Sequence, residues 1–157
     1  MQMSVIAALA TAYLNERGTR RLLKYNEDLV ERVVVLLERV RESATTNRVQ
    51  AGICRMSAER AEWLLTEWLL LRLEKIRSGA EVESMSPSEQ IYAAKYAELC
   101  PGAAEKRERE FAGVYVLEDR PGASIGGEVM SVSAGDFLVT ETASIQELID
   151  EMAVILV

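Results

Sequence analysis

The stretch from Met56 to Ile76, MSAERAEWLLTEWLLLRLEKI, constrains this chain more than any other. It holds no Gly or Pro, and Ala, Leu, Glu and Arg favour the helical state, so it reads as one helix. Its apolar residues do not keep to one stripe. At about 100° per residue, Trp63 and Trp68 lie roughly 140° apart around the axis. Leu64, Leu65, Leu69, Leu70, Leu71 and Leu73 fill much of the remaining circumference, interrupted by Thr66, Glu67, Arg72 and Glu74. A helix apolar nearly all round must be covered from several sides. Short neighbours from the same chain can cover one side. The other wants a second chain, which favours a subunit of an assembly over a self-contained enzyme.

A length of 157 residues suits one domain or two small ones. The net charge of −7 is unevenly placed. Residues 1 to 100 carry 14 basic and 14 acidic side chains, whereas residues 101 to 157 carry 4 basic and 11 acidic. Direct nucleic-acid binding needs a basic face, so strong binding of that kind is not expected, and any DNA role must run through partners. The plainer reading of the acidity is solubility. There is no His, which removes the usual general base and any His-ligated zinc. Cys54 and Cys100 are the only thiols, too few for a structural zinc site. Each reads as a small buried hydrophobe. An enzyme using either thiol, or paired carboxylates, is the rival class, but a thiolate nucleophile needs a base that the sequence does not place nearby. No cofactor is expected. No apolar run approaches the roughly 20 residues of a membrane span. The opening MQMSVIAALATAYL has no basic residue ahead of its apolar part, so it does not read as a signal peptide.

Taken in order, residues 4 to 16 read as a short helix ending before Gly18, with Ile6, Leu9, Ala10, Tyr13 and Leu14 on one face. Asn26 can cap the next helix, with Glu27 and Asp28 in its first turn. Leu29, Val33, Leu36, Leu37 and Val40 recur at three and four, and the run ends near Ser43 to Thr46. Asn47 can cap the long helix, with a kink or restart expected at Gly52. Arg72, Lys75 and Arg77 suit its negative C-terminus, and Ser78-Gly79 stops it. Residues 80 to 85 read as a polar connection. Ser86-Pro87-Ser88-Glu89 is a helix start with a cap, a first-turn Pro and a capping-box Glu. Tyr92 and Tyr96 follow one turn apart and read as core, and Pro101-Gly102 ends the helix.

After a charged linker at 103–110 the period changes to two. Strands are expected at 114–117, 129–132, 137–139 and 154–157. Asp119 to Gly127 reads as a loop, without the Lys-Ser/Thr of a phosphate-binding loop. Ala134-Gly135-Asp136 reads as a tight turn. Ser144 is the expected cap of a short helix that buries Ile145, Leu148 and Ile149. The expected class is α+β: an N-terminal α-helical bundle domain, 1–102, followed by a small C-terminal β-rich domain, 111–157. About 45 residues make a marginal unit alone, so this module should dock on its own chain or on a partner.

The long helix resembles that of a GINS replication-complex subunit of the SLD-five type. The likeness rests on Glu59, Arg60, Trp63, Leu65, Trp68, Leu69, Arg72, Leu73, Lys75 and Ile76, without a gap. It extends to Ser86, Pro87 and Glu89 downstream, and to Tyr13-Leu14-Asn15-Glu16 followed by Leu22-Leu23 upstream. The last part is similar to the family's small β domain, including Ile145, Leu148, Ile149 and a closing apolar strand. Helical first and β second is the order of the SLD-five and PSF-one types, and the Glu59-Arg60 pair favours SLD-five. An archaeal subunit of the same order and a free-standing helical adaptor are the alternatives.

The resemblance implies a scaffold subunit without catalytic residues in a four-subunit complex with PSF-one, PSF-two and PSF-three types. That complex joins the MCM motor ring and the Cdc-forty-five factor in the replicative helicase, in the nucleus of a eukaryote or the cytoplasm of an archaeon. The expected interface residues are Trp63, Trp68, Leu71 and Arg72 on the helix and Leu156 and Val157 at the chain end. Arg60 and Arg72 are expected to orient helices through ion pairs, near Glu59, Glu62 and Glu67. Which Trp faces in is not legible. Burying one contributes roughly 4 to 6 kcal/mol by area before entropy costs, so either Trp→Ala change should impair folding or assembly.

Overall fold

A computed structural model describes residues 4–42, 48–100 and 110–157 of the chain. Four helices come first: α1 (Val5–Gly18), α2 (Glu27–Glu42), α3 (Arg48–Arg77) and α4 (Pro87–Leu99). Local chemistry sets their starts. The Ser4 hydroxyl accepts from the Ala7 N–H, and Asn26 Oδ1 accepts from the Leu29 N–H at 2.9 Å. At α4 the capping box is complete, since Ser86 accepts from Glu89 N–H and the Glu89 carboxylate accepts from Ser86 N–H at 2.8 Å. Gly79, at φ 91°, ends α3 in the left-handed region where Gly carries no Cβ penalty. Two expectations change. Helix α1 runs through Gly18, and α3 is one continuous helix across Gly52. Asn47, Ser43 to Thr46, Pro101-Gly102 and positions 103–109 of the linker lie outside the described residues.

The buried face of α3 packs on α1 and α2 through Ala61 and Leu64, against Leu9, Leu29, Val33 and Leu37. Further along, Ile76 meets Leu22 and Met85, with Leu73 and Tyr92 at the margin. Of the expected α1 face, Leu9 is buried and Leu14 is exposed. Tyr92 and Tyr96 stack at 6.1 Å and are half-buried rather than core.

The chain then becomes an antiparallel β region, so the fold is α+β. Its strands are β1 (Phe111–Val116), β2 (Arg120–Ile125), β3 (Glu128–Val132), β4 (Phe137–Glu141) and β5 (Val154–Leu156). They form a sheet in the order β4-β1-β5 and a separate β2-β3 hairpin. The hairpin corrects the loop expected from Asp119 to Gly127. Only Gly126-Gly127 turns, at φ 63° and 88°, the left-handed pair that a two-residue hairpin turn demands. Pro121 and Gly122 looked like breakers, but they sit where the register shifts between Arg120 and Ala123, so Pro's missing N–H costs little. The expected Ser144 cap is also corrected. A 3-10 turn at Thr142–Ile145 leads into α5 (Gln146–Asp150), and the Ser144 hydroxyl donates back to the Glu141 carbonyl at 2.7 Å. Ile145, Leu148 and Ile149 are buried as expected.

One face of the three-stranded sheet, carrying Val114, Val116, Val154 and Leu156, closes over α5 and the hairpin, and Leu23 joins this core from the helical side. The β region lies against α1. Asn15 Nδ2 donates to the Val154 carbonyl at 3.0 Å, and Asn15 Oδ1 accepts from the Leu156 N–H at 2.9 Å. One side-chain amide thus pairs the outer edge of β5 as a neighbouring strand would. Gly18 permits the approach, because a Cβ there would lie 2.6 Å from Leu156 Cβ. Glu110 fastens the other end, accepting from the Thr19 hydroxyl at 2.6 Å and the Arg20 N–H at 2.7 Å.

Replacing Asn15 with Ala leaves a buried carbonyl and a buried N–H without partners. It should lower the unfolding free energy by about 2–4 kcal/mol in urea denaturation. Gly18→Ala should cost about 1–3 kcal/mol by forcing β5 off the helix.

Candidate functional site

Beneath the long helix lies a cluster of buried charge. Arg72 is completely buried on the inner face of α3, where the sequence reads as apolar all round. A guanidinium carries five N–H donors, and here all have acceptors. Nε and Nη2 make a bidentate pair with Glu89 at 2.8 and 3.0 Å. Nη1 reaches Glu16 at 3.0 Å and the Leu23 carbonyl at 2.7 Å, and Nη2 reaches the Ser84 carbonyl at 3.0 Å. The rings of Trp68 and Tyr25 lie 5.1 and 5.3 Å from the guanidinium carbon and stack on each other. Cation–π attraction adds to the ion pairs where water is excluded.

Lys75, one turn on, donates to Glu16 Oε1 at 2.5 Å, to the Glu16 carbonyl and to the Arg21 carbonyl at 2.8 Å. Two cations and two carboxylates balance, as a buried cluster requires. Burial pushes the Lys75 ammonium below its usual range, against the opposing pull of Glu16. Burial by itself would raise the Glu89 carboxyl. The Arg72 fork and the Ser86 N–H outweigh it and hold Glu89 below the ordinary carboxylate value. Burial, reinforced by Glu89, pushes the Tyr25 phenol up.

The buried ion pairs expected to orient the helices are made by Arg72, with partners from α1 and α4. Arg72 bonds none of Glu59, Glu62 or Glu67. Glu59 pairs with Arg55 and Glu62 with Arg41, both on the exposed surface, and Arg60 is exposed. A buried guanidinium needs acceptors from other segments to fill its fork. Lys75 serves the Glu16 carbonyl in the last turn of α1 and the Arg21 carbonyl just beyond it, rather than the last carbonyls of its own helix. The signals for Glu16 and Glu89 were present, one inside the Asn15-Glu16 motif and one inside the capping box. Nothing in either pattern says that the two carboxylates meet at one arginine.

The expected interface residues divide. Trp68, Arg72 and Leu156 are enclosed by the chain's own core, Leu71 is half-buried, and Trp63 and Val157 are exposed. Of the helix motif, Ile76 is buried, Leu65, Leu69, Leu73 and Lys75 are half-buried, and Glu59 is exposed. Trp63 tilts over Tyr13 at 6.1 Å and keeps 55% of its surface open. Val49, Met56, Trp63 and Leu70 follow one another at seven-residue intervals, and each is at least half exposed. They lie on the side of α3 turned from the core, drifting only about 20° per step. Cys54 is half-buried, and Cys100, expected inside, is exposed. Among the described residues no cluster of Cys, Asp or Glu is arranged to hold a metal, and no helix is long and apolar enough to cross a membrane.

The chain is thus an α+β protein organised on one long helix, with a buried arginine cluster beneath it and an exposed apolar row along it. No family model matches it. It is similar to the DNA replication complex GINS protein SLD5 of Mus musculus, 32% identical over 108 residues that cover 59% of this chain and 48% of that protein. The protein of the same name from Rattus norvegicus is 31% identical over the same share of each chain. The chain is thus a distant homologue of the GINS SLD5 subunit. It spans about half the length of the curated relatives it matches.

Arg72→Met leaves the buried Glu89 carboxylate without a cation and Glu16 with Lys75 alone, and should destabilise the fold by about 3–5 kcal/mol in urea denaturation. Glu89 titrates from 4.5 when free and lower in the fold. The folded state therefore holds the charged form more tightly. The stabilisation from this group is complete above 4.5 and is lost as pH falls through the folded value. Glu89→Gln should lower stability at pH 7 and flatten its fall below pH 4.5, followed by denaturation across a pH series.

Proposed function

We propose that this chain is an SLD5-type scaffold subunit of a GINS complex acting in DNA replication. It works without catalysis, beside subunits of the PSF-one, PSF-two and PSF-three types. Through that complex it contributes to joining the MCM ring and the Cdc-forty-five factor in the replicative helicase, in the nucleus of a eukaryotic cell. The helical domain at 1–102 and the β-rich domain at 111–157, joined by the 103–110 linker, are the units we assign to this role. No cofactor and no direct grip on DNA enter the reading.

The observation that carries it is the apolar seam of α3. Val49, Met56, Trp63 and Leu70 leave 72, 69, 55 and 54% of their surfaces open. Side chains of this kind at intervals of seven suit a second helix laid along the first. Ile53, exposed, and Leu71, half-buried, widen the strip, and Arg60, Glu67 and Glu74 border it with charge that can set register. The described helices of this chain already occupy the opposite face, and we assign the seam to a helix of another chain. The relation to SLD5 supports a GINS sibling as that chain.

Co-expression with three candidate sibling subunits, followed by size exclusion, tests the proposal. One particle containing all four is the expected result. A lone, fully folded monomer indifferent to the siblings would instead favour a free-standing adaptor. Met56→Glu with Trp63→Glu should abolish co-elution while leaving the isolated chain's circular dichroism unchanged, because neither side chain belongs to its core. Trp68→Ala should instead lower the melting temperature of the chain itself, at a cost of about 3–5 kcal/mol.

A further inference from the structure

The two edges of the β4-β1-β5 sheet are treated differently. The bonds from Val157 N–H to the Gly113 carbonyl and from Leu117 N–H to the Ala153 carbonyl show which residues of β1 bond β5. In the same ladder the even-numbered residues of β5 point their backbone groups outward, and these are the groups that Asn15 satisfies. On the other side, the Val116 N–H donates to the Asp136 carbonyl, so Leu138 and Thr140 bond β1. The backbone groups of Phe137 and Val139 therefore point away from the sheet. No strand among the described residues pairs with them.

The side chains on this edge are apolar and open. Phe137 and Val139 expose 59 and 71% of their surfaces, on the same sheet face as Phe111 and Tyr115. Proteins blunt an unpaired edge with Lys, Pro, a bulge or a covering segment. Among the described residues β5 is covered and β4 is not. An open edge with alternate apolar side chains takes an added strand, whose backbone supplies affinity and whose side chains supply specificity.

Charge selects the occupant. From 110 to 157 the chain carries nine carboxylates and one cation, Arg120, which pairs with Glu118 and Glu151. Asp136 precedes Phe137, and Glu141 shares the outer face with Val139. A second copy would bring the same excess of acid to the contact. We propose that the β4 edge receives an extended segment of a different protein, apolar at alternate positions and ending in Lys or Arg. This site lies on another part of the molecule from the α3 seam and does not depend on the GINS assignment.

The test uses the intact chain and two synthetic nine-residue peptides of alternating Val and Thr, one with Lys at both ends and one with Glu. The Lys-ended peptide should slow hydrogen exchange at the Phe137 and Val139 amides, and the Glu-ended peptide should bind about tenfold more weakly at low salt. Val139→Pro removes an N–H that faces away from β1, so it should abolish binding with the sheet intact. Val139→Lys keeps every backbone group and should narrow the preference between the peptides. Unchanged exchange with both peptides overturns the proposal. So does equal binding of both, a preference left unchanged in Val139→Lys, or protection that grows with protein concentration alone, which would make the occupant a second copy.

Discussion

Burying a guanidinium away from water costs several kcal/mol unless every donor finds an acceptor and the charge is balanced. Arg72 meets both conditions only when α1 brings Glu16, the segment after it brings the Leu23 carbonyl, the turn before α4 brings the Ser84 carbonyl and α4 brings Glu89. Apolar contacts between helices tolerate sliding. A five-donor fork does not, because a displaced helix leaves a donor bare in a dry interior. The helical packing therefore has one arrangement that closes the cluster. A purely aliphatic α3 would bury more apolar surface yet would not choose among rotations of a helix so nearly uniform around its circumference.

The last turn of α1 carries this constraint into the β region. Glu16 faces inward to Arg72 and Lys75, while Asn15, about 100° around the axis, faces β5. Gly18 then lets the strand lie against the helix, and Thr19 and Arg20 hold Glu110 at the entry to β1. Helix and sheet are joined within residues 15–20, by the Asn15 and Thr19 side chains, the Arg20 N–H and the close approach at Gly18. A β region of this size is marginal alone, and here its edge strand borrows a hydrogen-bonding partner from the helical region. The same chain thus uses charge to orient its helices and a side-chain amide to anchor its sheet, and among the described residues the seam of α3 and the outer edge of β4 stay exposed.

Much of this was legible in advance where the cause is local. The Asn26 cap, the Ser86 to Glu89 capping box, the stop at Gly79 and the short helix burying Leu148 and Ile149 follow from neighbouring residues and appear as read. The misses share a different cause. The β2 strand was hidden because Pro121-Gly122 carries a loop composition, and only pairing with β3 shows that a register shift absorbs it. Ser144 had the spacing of a cap but spends its hydroxyl on the carbonyl that precedes the 3-10 turn. Cys100 has the character of a buried residue and sits at the exposed end of α4. The two tryptophans were indistinguishable by type and separated only by position: Trp68 stacks under Arg72, and Trp63 lies half over Tyr13.

The amino-acid order alone determined that one long helix would be apolar on most of its sides, that helices would precede strands, and where most of them would start and stop. These properties depend on periodicity and on contacts within a few residues. Tertiary structure decided which carboxylates meet Arg72, which tryptophan is enclosed, and which sheet edge is covered. Those outcomes depend on groups 17 to 141 positions apart in the chain, as Arg72 with Glu89 and Asn15 with Leu156 show. Separations of that kind leave no periodic trace, because what brings the groups together is the need of a buried charge or an open strand edge for a partner that only the folded chain supplies.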